Sequence, residues 1–258
     1  MTTSPSLSIA ASAMIQVGTT LGAYCVIGDS VRIGRNCQIG HHVVIHHGTT
    51  IGDNVRIDDH ATLGKQPMRS LNSAVTQATA QPPLVVGDGC LIGANTVLYA
   101  GCTVGANVLV ADLATIREEV TIGDFTIVGR GVAIENRCTV GRYCKLETNA
   151  YLTAYSTLED RVFVAPGVLT SNDNFVGRSE ERFKHFAGVT IRRGGRVGVG
   201  AVILPGIEIA PDSLVAAGGL ATHDTEPRSV FAGVPARRFK DVPGDQLLEN
   251  QGWKDVAP

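Results

Sequence analysis

The sequence predicts an all-β chain wound as a parallel β-helix of six-residue repeats, and three observations predict it. Every sixth residue is Ile, Leu or Val from Ile9 to Leu63, from Val86 to Val164 and from Ile191 to Val215. The position two before each aliphatic is small or β-branched, as in Cys25, Val31, Cys37, Val43, Thr49 and Val55. The position after it is often glycine, as in Gly28, Gly34, Gly40, Gly52, Gly87, Gly93, Gly105 and Gly123. Neither a helix of period 3.6 nor a strand of period 2 gives this pattern.

The expected solenoid has three short strands per turn. One inward aliphatic fills each face, a small residue fits each corner, and the glycine supplies the corner's backbone angles. Three repeats make an 18-residue coil, and stacking at ~4.8 Å gives about ten coils. Two segments leave the register, 64–85 and 171–190. They hold no hexad and are expected as excursion loops of the binding face. After Val215 the hexads fade, and the amphipathic stretch DQLLENQGW suits a short C-terminal α-helical cap over the open end. The division expected is a β-helix domain over 1–220 and a cap or tail over 221–258.

All six cysteines (25, 37, 90, 102, 138 and 144) occupy the small corner position. They are expected as reduced core residues, not as a disulfide framework or a metal site. A net charge of −2 gives no electrostatic case for nucleic acid or an anionic membrane. No apolar run reaches the ~18 residues of a membrane span. The segment Met1 to Ser8 lacks the basic and apolar regions of a secretory signal, so the expected location is the cytoplasm.

The [LIV]-G-x-x-x-x pattern resembles the left-handed β-helix of the hexapeptide acyltransferases, and the left hand is carried over from that family. The segments ADLATIREEVTIGDFTIVGRG (111–131), TNAYLTAYSTLED (148–160) and TSNDNFVGR (170–178) resemble one subgroup more closely, with GKQPMR…NSA (64–74) and GVPAR. Its members are bacterial N-acetyltransferases of nucleotide-linked 3-amino-3,6-dideoxyhexoses. The resemblance implies transfer of an acyl group from acetyl-CoA to the amine of a dTDP- or UDP-linked amino sugar. It also implies a homotrimer, no metal, and no dedicated histidine base, since the departing CoA thiolate can accept the proton.

Glu118 and Asn136 stand two residues after Ile116 and Ile134, one coil apart, and an acid beside an amide suits an amino sugar. They are the expected catalytic pair, with Glu135 and Glu147 as competitors at a position where glycine is common. Lys65, Arg69, Asn72, Asn149, Asn172, Asn174, Arg178 and His185 are candidate substrate contacts. Arg192, Arg193, Ala201, Ala216, Gly218, Arg237, Arg238 and Lys240 are candidate CoA contacts, cations for its phosphates and small residues along its pantetheine.

Three other classes compete. An O-acetyltransferase usually wants a histidine base in mid-helix, and 86–164 holds none. A zinc hydratase would use His42, His47 and His60, although these sit in a dense histidine run. A plain scaffold would not need the excursions or the basic GVPARRFK tail.

Overall fold

Each hexapeptide makes a two-residue strand followed by a turn, and strands three repeats apart pair in parallel. Ser8–Ile9 pairs Val26–Ile27, which pairs Val44–Ile45, and so on up the stack. The computed structural model describes residues 6–76 and 79–253. It is a three-faced parallel β-helix whose sheets hold 11, 10 and 12 strands. The first face runs from Ser8–Ile9 to Leu220–Ala221, the second from Met14–Ile15 to Glu208–Ile209, and the third from Thr20–Leu21 to Arg237–Asp241. Here the first edge joins the first face to the second, the second edge joins the second to the third, and the third edge returns to the first.

The predicted period is the core. All the register aliphatics are buried except Ile9, Ile15 and Leu21, which belong to the open first coil. The corner cysteines are buried and free. Burial pushes the thiols up, to about 11 at Cys90 and about 12 at Cys102, Cys138 and Cys144, so they stay protonated and inert.

The glycine after the aliphatic has a different role from the one expected. The left-handed backbone falls two residues later, at Ser30, Asn36, His42, Asn54 and His60. Gly22, Gly34 and Gly87 are small because the next coil passes over them. A Cβ at Gly34 would lie 2.4 Å from the Gly52 carbonyl oxygen, and one at Gly87 2.7 Å from the Gly105 carbonyl carbon.

The C-terminal closure also differs. Among the described residues there is no α-helix. Ser229–Ala232 adds a last parallel strand to the third face, and Arg237–Asp241 returns antiparallel to it. Two 3₁₀ turns follow, Gly244–Gln246 and Leu248–Asn250. Pro243, Gly244 and Gly252 bracket a stretch too short to pass the nucleation cost of an α-helix. Val230, Val242 and Leu247 pack with Leu214 as a small separate core at this end.

Candidate active site

Both excursions leave from the first edge. The first follows Thr62–Lys65 and the second follows Leu169–Thr170, and each returns to the second face. Between them, on consecutive coils, the same edge presents Glu118–Glu119, Asn136–Arg137 and Ala154–Tyr155. The first excursion is tied at its base by Gln66 and Gln81, which exchange two hydrogen bonds of 2.9 and 2.8 Å. The second is closed by the Ala187 N–H donating to the Asn172 carbonyl at 3.1 Å. Asp173 stabilises that loop by accepting from the Phe175 and Gly177 N–H groups, each at 2.9 Å. These bonds, with Arg182 at 3.3 Å, hold the Asp173 carboxyl below the usual carboxylate range despite some burial.

Glu118 and Asn136 do stand on neighbouring rungs, 2 % and 1 % exposed, beneath the first excursion. Arg117 donates to both Glu118 oxygens, from Nε at 2.8 Å and from Nη2 at 3.0 Å. The same Nη2 donates to Thr76 at 3.1 Å, and Nη1 lies 3.5 Å from Glu135. The guanidinium sits over the Tyr99 ring at 4.9 Å. Burial works against the Arg117 charge, but Glu118 and Glu135 outweigh it and keep the group protonated. Asn136 donates to the Val75 carbonyl at 3.3 Å, and its Oδ1 is buried with no partner among the described residues. The solvated ladder of this edge is the next position along: Glu119 pairs with Arg137 at 3.0 Å, and Arg137 donates to the Tyr155 hydroxyl at 3.1 Å.

The two excursions meet over a cavity of about 190 Å³. Ala74 and Val75 come from the first, Asn172, Asp173, Arg182 and Phe186 from the second, and Glu135, Tyr151 and Thr153 form the floor. Glu135 is the carboxylate of the floor, and Asp173 is that of the second excursion. Burial, reinforced by Glu118 and opposed by Arg117, raises the pKa of Glu135. Burial likewise raises that of Tyr151. Glu118 has its oxygens committed to Arg117, and neither Glu118 nor Asn136 lines the cavity. The Arg117 that Glu118 holds also reaches Thr76 and Glu135.

The other expected contacts divide. Asn172 lines the cavity, and Lys65 lies 5.5 Å from the Tyr99 ring on the same edge. Arg69, Asn72, Asn174, Arg178 and His185 are exposed on the excursions and are not part of the cavity wall. The His185 ring instead lies against Phe175 at 5.8 Å. Asn149 and Glu147 belong to the third edge. Asn149 adopts the left-handed turn conformation there, and its side-chain oxygen fills the space above Gly131.

Of the CoA candidates, Ala201 is fully buried in the core and offers no surface. Arg192 is held between Glu159 at 2.9 Å and Glu208 at 2.6 Å. Arg193 lies on the second edge, its backbone N–H given to Glu159. Ala216 and Gly218 lie on the third edge. Gly167, Gly200 and Gly218 follow one another there on successive coils, each with positive φ and open space where a Cβ would stand. Arg237, Arg238 and Lys240 sit on the exposed closing strand, with Arg238 paired to Glu226 and Asp241.

The histidine run does not converge. His42 and His60 stack with Tyr24 on the third edge, at 5.0 and 4.9 Å, while His47 turns at the first edge. A face of the helix separates them. Among the described residues no three potential ligands form a metal-binding group.

The family model for bacterial transferase hexapeptide (six repeats) matches residues 30–65 and 83–118. Galactoside O-acetyltransferase of Escherichia coli (strain K12) is 33 % identical over 86 residues, which are 32 % of this chain and 42 % of that protein. The chain thus spans less than half the length of that relative. Among solved structures, the UDP-N-acetylglucosamine acyltransferase of Francisella novicida aligns with 96 % of this chain and 72 % of its own, at 19 % identity and a TM-score of 0.47. A hexapeptide-repeat acetyltransferase of Vibrio cholerae, complexed with acetyl coenzyme A, aligns with 47 % of this chain and 70 % of its own, at 21 % identity and a TM-score of 0.43. Over its two matched segments the chain carries the hexapeptide repeat of the bacterial transferases.

Proposed function

We propose that the chain is an acyl-CoA-dependent N-acyltransferase acting on the amine of a nucleotide-linked amino-deoxy sugar. The carrying observation is the charge and polarity of the first-edge cleft. Glu135 and Asp173 line the cavity with one guanidinium, Arg182, and the Arg117–Glu118 pair lies beside them, which leaves one carboxylate in excess. Asn136 adds a buried acceptor with no donor among the described residues. Such a site favours an ammonium group over a neutral hydroxyl, and a buried unpaired acceptor costs ~1–3 kcal/mol until a donor arrives.

In this reading the bound ammonium first loses a proton to solvent through Glu135, and the free amine attacks the thioester carbonyl. The C–N bond forms, the nitrogen of the tetrahedral adduct gives its second proton to Glu135, the C–S bond breaks, and the departing CoA thiolate takes up that proton from Glu135. The pantetheine would lie along the open glycine corner of the third edge. That corner and the Glu135 cleft are different edges of one chain, which favours a homotrimer in which neighbouring chains complete each site. Static light scattering showing a fully active monomer would contradict this arrangement.

Transfer to a sugar hydroxyl is the second reading, favoured by the Escherichia coli O-acetyltransferase relative. Incubation with acetyl-CoA and a panel of dTDP- and UDP-linked amino sugars, with mass spectrometry of the products, tests both. An acid-stable amide on the amine is expected. A base-labile ester instead would establish the second reading, and no transfer to any panel member would refute both.

Asn136→Ala should weaken acceptor capture by ~1–3 kcal/mol in kcat/KM, the cost of one lost buried hydrogen-bond partner. Asn136→Asp should not restore it, because a third carboxylate beside Glu118 and Glu135 is repelled. Steady-state kinetics on the best acceptor check this, with wild-type values as the contrary result.

A further inference from the structure

Acyl transfer at the first edge leaves a built feature of the second edge unused. Phe125 and Tyr143 stack there on successive coils, 5.0 Å apart and 5° from parallel. Arg161, one coil on, lies 4.6 Å from the Tyr143 ring and 5.2 Å from the ring of Trp253, which the C-terminal segment brings back against the solenoid. Beside this stack opens a cavity of about 410 Å³, within the usual range of ligand pockets. Aromatic residues are 5 % of the chain, yet Phe125, Tyr143, Phe163 and Trp253 all meet here.

The polar lining is cationic. Lys145 stands exposed on the third face, Arg196 lies on the next strand but one, and among the described residues no carboxylate lines this cavity, Asp212 and Asp245 lining the adjoining one that shares Arg196 and Trp253. Arg196 gives Nη1 to Gln246 at 3.1 Å, while its Nη2 is buried with no hydrogen-bond partner among the described residues. Burial opposes its charge, and Asp212 compensates only in part. A desolvated guanidinium with an unused donor calls for an anion, and an exposed planar ring such as Trp253 calls for a flat partner. Arg161 is already engaged in the stack, so the anion falls to Lys145 and Arg196.

We propose that this cavity binds a nucleoside phosphate, with the base against Trp253 and the phosphate on Lys145 and Arg196. The whole second face separates it from Glu135, so its occupant is not the amine undergoing acylation at that cleft. The chemistry is shared by two sources, a pyrimidine nucleoside diphosphate and the adenosine bisphosphate end of a coenzyme.

Trp253 is the chain's only tryptophan, so its fluorescence reports on this cavity. The full chain would be titrated with UDP, dTDP, adenosine 3′,5′-bisphosphate, uridine and inorganic phosphate. Saturable quenching by at least one of the three nucleotides is expected, and the preferred one identifies the source. Uridine should bind more weakly, inorganic phosphate should leave the emission unchanged, and Lys145→Ala should raise the nucleotide Kd about tenfold, which is ~1.4 kcal/mol. Lys145 is exposed, so its removal spares the fold. Absence of saturable quenching, an unchanged Kd in Lys145→Ala, or equal binding of uridine would overturn the proposal. The readout is binding alone, so its failure leaves the acyl-transfer reading intact, and failure of acyl transfer leaves this site standing.

Discussion

Arg117→Ala should lose about 3–5 kcal/mol of stability, because it strands the Glu118 carboxylate without its counterion. Glu118 is 2 % exposed, and Arg117 supplies both of its short hydrogen bonds. The same change unties Thr76, the point where the first excursion is fastened to the edge. Urea denaturation read by circular dichroism measures the loss. Glu118→Gln should cost less, since Arg117 keeps Glu135 at 3.5 Å. The double change Arg117→Met with Glu118→Leu should recover most of the stability, as apolar replacements of buried pairs often do. An unchanged midpoint in Arg117→Ala would mean that Glu118 reaches water, and the closed floor of the cleft would be wrong.

Glu135→Gln should lower kcat/KM for the amine acceptor by about 10²–10⁴, the range of a positioned general base. The pH profile makes the test specific. The Glu135 pKa lies above its ordinary value, chiefly through burial. As a base Glu135 must be ionised, so the acidic limb of kcat/KM should stand above the usual carboxylate range and vanish in Glu135→Gln. Stability moves the opposite way. A raised pKa means the fold favours the neutral carboxyl. That contribution is full below the ordinary Glu value and is lost as pH rises through the raised one. Glu135→Gln should therefore be no less stable than wild type at neutral pH, which separates loss of chemistry from loss of fold. A retained rate with an unaltered acidic limb would remove Glu135 from the proton path.

The fold was legible because the solenoid repeats one local solution, and each inward aliphatic answers to its own coil. Part of the site was legible on the same grounds. Glu118 and Asn136 share an offset, and the register does stack them. A stronger signal lay one position earlier. At the first edge, Tyr99, Arg117, Glu135 and Thr153 follow at eighteen-residue steps in the position elsewhere given to glycine. Large polar side chains where the next coil needs room mark the edge where an excursion, and not another tight turn, lies overhead. The excursion contacts themselves were not legible. Asn136 meets Val75 across 61 residues and Arg117 meets Thr76 across 41, and no period specifies how those loops fold back. The histidine run misled for the reverse reason. His42 and His47 are close in sequence, but a turn and a strand place them on different edges.

A crystal structure with the best acceptor of the panel will show whether the amine sits in the first-edge cleft between the two excursions. The amine nitrogen is predicted within hydrogen-bonding distance of Glu135, with a donor of the sugar on Asn136 Oδ1 and the second excursion over the ring. An acceptor bound along the third-edge glycine corner or at Trp253, with the Glu135 cleft vacant, would contradict it.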